Sequence, residues 1–313
     1  MKNLLAKIYS IFFVAVLAIA PVFSQTDSSE RMQKGFQLLQ SEDFQSAAAS
    51  FSAILRAEPE NDKARLGLAI ALVGLDKAAE ASREIAKLLA RSPKDMKLLE
   101  MAAQTFWQQK RFTETEKVLK RRLDLGDAAA EWWALYGDAL DAQKKTIEAV
   151  VAYEKAVKAK PDSINYRYAL GSLYWKQIRY DDATREFTEI LKREPKEPRA
   201  SFNLGDIYLT NGDAAKAVPF LEIAVVNFPE EFDTRFALGR AYLLTNKYQP
   251  AIEQLKIAVK LRPEIAEGFY QLGLALQKSG RREEAKPAFK KTQELQKAKR
   301  DSEAPPTIPK NNQ

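Results

Sequence analysis

Residues 198–212 read PRASFNLGDIYLTNG, and residues 232–246 read FDTRFALGRAYLLTN. The two stretches share the pattern Leu-Gly-x-x-Tyr, and their glycines, Gly205 and Gly239, lie 34 residues apart. Large and small apolar residues at offsets of three and four are typical of one face of a helix. The two stretches therefore predict a helix that recurs with a period of 34 residues.

The same period runs through most of the chain in four registers. The first register holds a small residue eight times: Gly35, Ala69, Ala103, Gly137, Gly171, Gly205, Gly239 and Gly273. The second is mostly alanine: Ala47, Ala81, Thr115, Ala149, Ala183, Ala217, Ala251 and Ala285. The third is mostly proline: Pro59, Pro93, Asp127, Pro161, Pro195, Pro229, Pro263 and Lys297. The fourth is large and apolar: Phe51, Ile85, Leu119, Tyr153, Phe187, Leu221, Leu255 and Phe289.

These registers predict a pair of antiparallel helices in each repeat. Small residues on both helices allow the two backbones to approach closely, and the large residue of the fourth register fills the space beside them. Gly212, Asn246 and Gly280 fall between the two helices, where a left-handed residue ends the first one. The prolines follow the second helix, because proline discourages helix continuation.

In its period and its small, aromatic, alanine and proline positions, the sequence resembles the tetratricopeptide repeat (TPR) family. The fourth repeat is closest to the full pattern, with Trp133, Tyr136, Gly137, Leu140, Ala149, Tyr153, Ala156 and Pro161. The resemblance implies an all-α fold, an α-solenoid of about eight stacked helix–turn–helix repeats in a right-handed superhelix. We expect sixteen helices over residues 28–300 and no strand.

The sequence divides the chain into three predicted segments. Residues 1–24 have the order of a secretory signal peptide: Lys2 and Lys7, then an apolar run from residue 8 to residue 20, then small residues before a cleavage site at Gln25. A retained N-terminal anchor is the alternative. Residues 25–299 form the TPR array, and residues 300–313 are polar and proline-rich, so we expect them to be disordered. The repeats start near residues 28, 62, 96, 130, 164, 198, 232 and 266.

Composition excludes most catalytic machinery. The chain of 313 residues has no Cys and no His, which excludes disulfides, zinc–thiolate sites and catalytic dyads or triads that need either residue. We find no phosphate-binding loop and no acidic calcium loop, and we expect neither enzymatic activity nor a cofactor. The formal charge of +7 is mild, and the basic run at residues 120–122 is interpreted as a solvated helix face rather than a nucleic-acid site.

The resemblance places a partner-binding groove on the first helices of the repeats. The candidate groove residues are Trp107, Tyr168, Trp175, Phe202, Phe236, Arg240 and Tyr270. Aromatic and arginine side chains are common interface anchors. Packing between repeats is an equal alternative for the four aromatic residues that share one phase, Tyr168, Phe202, Phe236 and Tyr270. Trp107 and Trp175 lie one phase further round, and we expect them to point into the groove because Phe106 and Tyr174 before them are buried.

The sequence thus predicts an exported scaffold, periplasmic or secreted in a bacterium, that binds protein or peptide partners and neither nucleic acid nor a cofactor. Envelope assembly, secretion and polysaccharide export are plausible settings. The alternative is a regulatory accessory subunit of a cell-envelope enzyme that processes glycan or peptidoglycan. The family's carboxylate clamp for chaperone C-termini is built from Lys and Asn at set phases. This sequence lacks it, because the phase that needs the second Lys holds Leu66, Glu100, Ala134, Tyr168 and Phe202.

Overall fold

A computed structural model describes residues 27–126 and 129–303. Across these residues the chain forms sixteen α-helices and no strand. The helices are α1 (Asp27–Gln40), α2 (Phe44–Ala57), α3 (Asp62–Gly74), α4 (Ala78–Arg91), α5 (Met96–Gln108), α6 (Phe112–Asp124), α7 (Ala130–Ala142), α8 (Thr146–Ala159), α9 (Ile164–Lys176), α10 (Tyr180–Arg193), α11 (Pro198–Thr210), α12 (Ala214–Asn227), α13 (Phe232–Leu244), α14 (Tyr248–Leu261), α15 (Ala266–Lys278) and α16 (Arg282–Glu303). The predicted all-α solenoid of helix pairs is confirmed.

The helices form two compact units, one ending at Lys160 and the other beginning at Pro161. The first unit contains α1–α8 and the second contains α9–α16. Within each unit every helix packs against the helices that precede and follow it in the sequence. First helices of successive repeats also touch, as α1 does α3 and α11 does α13. Each unit is therefore a stack of four helix pairs in which contacts are made between near neighbours.

The small register marks the closest approach within each helix pair. A Cβ placed on Gly205 would lie 2.6 Å from Cγ of Leu221, and one on Gly171 would lie 2.9 Å from Cε1 of Phe187. Leu221 and Phe187 are completely buried. The first and fourth registers thus meet face to face, sixteen residues apart in the chain, as the sequence predicts.

A left-handed residue joins the two helices of every repeat. The predicted Gly212, Asn246 and Gly280 have φ angles of +83°, +60° and +85°. The corresponding residues of the other repeats are also left-handed although none is glycine: Glu42, Asp76, Lys110, Lys144 and Ile178. The turn geometry is therefore imposed by the packing of the two helices and does not depend on the residue at the turn.

A largely buried arginine recurs on three first helices and was missed by sequence reasoning. Arg167 donates to the carbonyl oxygen of Pro161 at 2.9 Å and to the carboxylate of Glu186 at 2.7 Å. Arg235 donates in the same way to the carbonyl of Pro229 and to the amide oxygen of Gln254. Arg65 makes the equivalent bonds in the second repeat. Each arginine ties its helix to the second helix of the same repeat and to the preceding connection.

At the C-terminal end the structure describes helix beyond the predicted end of the repeats, and at the N-terminal end it does not describe the predicted signal peptide. Helix α16 continues to Glu303, so residues 300–303, which the sequence assigns to the disordered tail, are helical. The added turn carries acid and base side chains that suit a solvated helix end. The predicted signal peptide and the rest of the tail lie outside the described residues. No helix in the described ranges is long and apolar enough to cross a bilayer.

Candidate functional site

The predicted groove residues all lie on first helices, but they divide between the two units. Trp107 lies on α5 in the first unit. The other six lie in the second unit, with Tyr168 and Trp175 on α9, Phe202 on α11, Phe236 and Arg240 on α13, and Tyr270 on α15. We call the faces of α9, α11, α13 and α15 that carry these six residues the first-helix surface of the second unit.

Trp175 is a partly exposed aromatic residue of this surface. Its side chain is 39% exposed, whereas the preceding Tyr174 is 4% exposed, as the sequence predicts. The indole N–H donates a hydrogen bond to the carboxylate of Asp206 on α11. The contact joins the ring to α11 and leaves a large part of it in contact with water.

The Asp206 carboxyl responds electrostatically to both Trp175 and Arg240. Burial raises the pKa of the Asp206 carboxyl, while the hydrogen bond from Trp175 and the charge of Arg240 act in the opposite direction. Arg240 lies over the ring of Phe236, at 5.6 Å from its centroid. It makes no hydrogen bond or ion pair with any described residue, so its guanidinium keeps its N–H donors for a ligand.

Tyr168 and Phe236 are tied into the packing of the unit. The Tyr168 hydroxyl accepts a hydrogen bond from Nδ2 of Asn203 at 3.1 Å, and the guanidinium of Arg199 lies 4.6 Å from its ring. Phe236 stacks on Phe232 with 5.2 Å between ring centroids. Both rings are half-buried, so most of their apolar area already contributes to folding. Sequence reasoning did not predict Asn203. It lies four residues after Arg199, so the two side chains share the helix face that contacts Tyr168.

Phe202 and Tyr270 differ in exposure although they share one phase. Phe202 is half-buried and packs on the apolar core formed by α12 and α13. Tyr270 is 41% exposed, with its ring 6.2 Å from that of Phe289 on α16. Packing thus accounts for Phe202 more fully than for Tyr270.

The first unit offers a different environment around Trp107. The Trp107 ring packs edge-on against Phe112 at 5.3 Å and is half-buried, next to a buried Phe106. The hydroxyl of Tyr153 on α8 donates to the carboxylate of Asp138 on α7. Burial raises the pKa of Asp138, and this hydrogen bond opposes the change. Trp107 therefore has a packing partner that Trp175 does not.

Four family models match parts of the chain. Models described as tetratricopeptide repeat match residues 38–104, 168–232 and 266–299, and a model described as TPR repeat matches residues 137–177 and 239–280. No curated protein sequence gives a significant match.

Two solved structures show the same fold. MamA from Desulfovibrio magneticus RS-1, residues 41 to the end, is 24% identical, with a TM-score of 0.51, and the alignment covers 55% of this chain and 97% of that one. YrrB, described as a TPR protein with an unusual peptide-binding site, is 20% identical, with a TM-score of 0.52 over 57% of this chain and 92% of that one. At these identities the similarity concerns the fold alone.

Proposed function

Because the chain is an array of tetratricopeptide repeats, we propose that it is a scaffold that binds a protein or peptide partner through the first-helix surface of its second unit. The observation that carries this proposal is the group formed by Trp175, Asp206 and Arg240. An indole held in place but left partly in water presents apolar area whose burial by a partner is favourable. Tryptophan and arginine are also the side chains that most often dominate interface energetics.

The same group suits a polypeptide ligand. Asp206 offers carboxylate oxygens that accept hydrogen bonds, and Arg240 offers N–H groups that donate them. A peptide backbone has one N–H donor and one C=O acceptor per residue. One acceptor and one donor on adjacent helices can therefore pair with both kinds of backbone group, while Trp175 covers an apolar side chain of the ligand.

We further propose that the protein acts in the envelope of a bacterium, after export. The basic and apolar order of residues 1–24 supports export. The absence of cysteine from the whole sequence is compatible with an oxidising compartment, since folding there would need no disulfide. In this setting the scaffold would serve envelope assembly, secretion or polysaccharide export.

A capture experiment with periplasmic extract tests the binding surface. The immobilised wild-type chain should retain a partner, and Trp175→Ala should weaken its binding by about 30-fold, the equivalent of roughly 2 kcal/mol. Arg240→Gln should weaken it too. Val226→Ala is the matched control, because Val226 is 77% exposed on α12 and lies away from the first helices.

Thermal unfolding of the same variants separates binding from folding. Trp175 is partly in water, so its removal should change the melting temperature little, whereas Trp107→Ala should lower it because Trp107 packs on Phe112. Retention of the partner by Trp175→Ala and Arg240→Gln at wild-type strength would refute the proposed surface.

A further inference from the structure

Ile178 has an unusual backbone conformation for its type. It joins α9 to α10 with a φ angle of +61°. The left-handed region is sterically unfavourable for L-residues, and for a β-branched residue it is a genuine outlier. The three equivalent turns of the second unit use Gly212, Asn246 and Gly280, which adopt this conformation more readily.

The packing of α9 on α10 that imposes this conformation leaves the side chain itself uncovered. The Ile178 side chain is 72% exposed, so little of its apolar surface is removed from water. The equivalent turns of the first unit hold the same conformation with charged residues, such as Glu42 and Lys144, so the turn does not require an aliphatic side chain. An aliphatic side chain held outward at the tip of a turn points to an apolar contact made outside the chain.

The turns at this end of the second unit are rich in basic residues, and Asp181, Asp182, Glu283 and Glu284 follow in the first turns of α10 and α16. We define the turn edge of the second unit as residues 176–180, 210–214, 244–248 and 278–282, the four connections with one helical residue on each side. These segments carry six basic residues and one acidic residue, Asp213. The basic residues are Lys176, Arg179, Lys247, Lys278, Arg281 and Arg282.

Some of these basic side chains contact aromatic rings or acidic side chains, and others have no acidic partner among the described residues. Arg179 and Lys247 lie over the rings of Tyr174 and Tyr242 at 4.3 and 5.7 Å. Arg179 also pairs with Asp182, and Arg281 with Glu284, on the helices behind the edge. Lys247, Lys278 and Arg282 make no ion pair within the described part of the chain.

A second exposed aliphatic side chain lies on the same edge. Leu244, the last residue of α13, is 56% exposed. Ile178 and Leu244 belong to different hairpins two repeats apart, with basic residues near each. This arrangement of isolated apolar tips among cations differs from a protein interface, whose centre is a contiguous, closely packed apolar patch.

We propose that the turn edge of the second unit docks on an anionic lipid bilayer surface. Ile178 and Leu244 enter the boundary between headgroups and acyl chains, and the basic residues contact the lipid phosphates. Shallow apolar insertion combined with attraction to anionic lipid is the physical basis of peripheral membrane binding. The proposed lipid contacts use residues other than Trp175, Asp206 and Arg240, so this inference goes beyond the proposed function.

A site-specific fluorophore provides the direct test. Because the full chain has no cysteine, Ile178→Cys can be labelled alone with the environment-sensitive dye NBD. The labelled full chain is mixed with vesicles of phosphatidylcholine alone or with added phosphatidylglycerol. We expect a blue shift and brighter emission with the anionic vesicles, weakened by salt because exposed charges are screened. Val226→Cys, on α12 of the same unit, is the matched control and should not respond.

A second variant separates strain from binding. Ile178→Gly should raise the melting temperature, since glycine relieves the left-handed strain, yet weaken sedimentation with anionic vesicles by about fivefold or more through the loss of aliphatic area. Lys247→Gln with Lys278→Gln should weaken it further. No NBD response at position 178, or Ile178→Gly binding as strongly as wild type, would overturn the proposal, and the second outcome would indicate a purely electrostatic contact with the lipid headgroups without apolar insertion.

Discussion

Replacing Gly205 with alanine tests how closely the two helices of a repeat must approach. The new Cβ would lie 2.6 Å from Cγ and 2.8 Å from Cδ2 of Leu221, and 3.4 Å from the carbonyl oxygen of Ala217. Leu221 is completely buried, so it has no solvent into which it can move. We expect overpacking of about 3 kcal/mol, offset by about 1 kcal/mol of better helix propensity. The net loss of unfolding free energy is then about 2 kcal/mol.

A double-mutant cycle identifies the cause of that loss. Leu221→Ala alone should cost about 2–5 kcal/mol by leaving a cavity. With both substitutions the new methyl group occupies vacated space, so the double variant should be more stable than the sum of the two losses by about 2 kcal/mol. Urea unfolding followed by circular dichroism measures all three variants. Strictly additive losses would refute the close-contact reasoning, as would loss of hydrogen-exchange protection in the first unit equal to that in α11 and α12.

Three further predictions concern an ion pair, a tyrosine and the N-terminus. Glu186→Ala should lower the unfolding free energy in urea by about 1–3 kcal/mol because it leaves the partly buried Arg167 guanidinium without its acceptor, and Glu186→Gln should restore most of the loss. Burial, and after it the hydrogen bond to Glu222, raises the pKa of Tyr242 to about 12 from 10.0. The contribution of Tyr242 to the unfolding free energy is therefore complete below pH 10 and is lost as the pH rises towards 12. The melting temperature of Tyr242→Phe should lack this loss. Intact-mass measurement of protein from the periplasmic fraction should give a chain that begins at Gln25, and a mass that includes residues 1–24 would favour the membrane-anchored alternative.

The candidate site could be predicted only in part. Helical phase alone put Trp107 and Trp175 in the same position of two repeats, each after a buried aromatic residue. The structure separates them, because Trp107 packs on Phe112, whereas Trp175 donates to Asp206. Phase gives the direction of a side chain from its own helix, but exposure depends on which residues adjoining helices and turns supply.

The turn positions also divide into those that the sequence predicts and those that it does not. The sequence predicts a left-handed residue where Gly or Asn occurs, but it gives no such signal at Ile178, whose type favours extended backbone. The packing of α9 on α10 imposes the conformation regardless of residue type. The strain at this position, and its combination with a basic edge, is visible only when the turns of successive repeats are assembled.

By itself, the sequence determined the repeat length, the helix pairs and the pairing of small with large residues. It could do so because the deciding contacts join residues a fixed distance apart in the chain, as Gly205 and Leu221 do, and therefore leave a periodic trace. Tertiary structure alone decided which side chains keep free surface or unused hydrogen-bonding groups, such as Trp175 and Arg240. Those properties depend on non-repeating neighbours from several helices, and a periodic pattern does not record them.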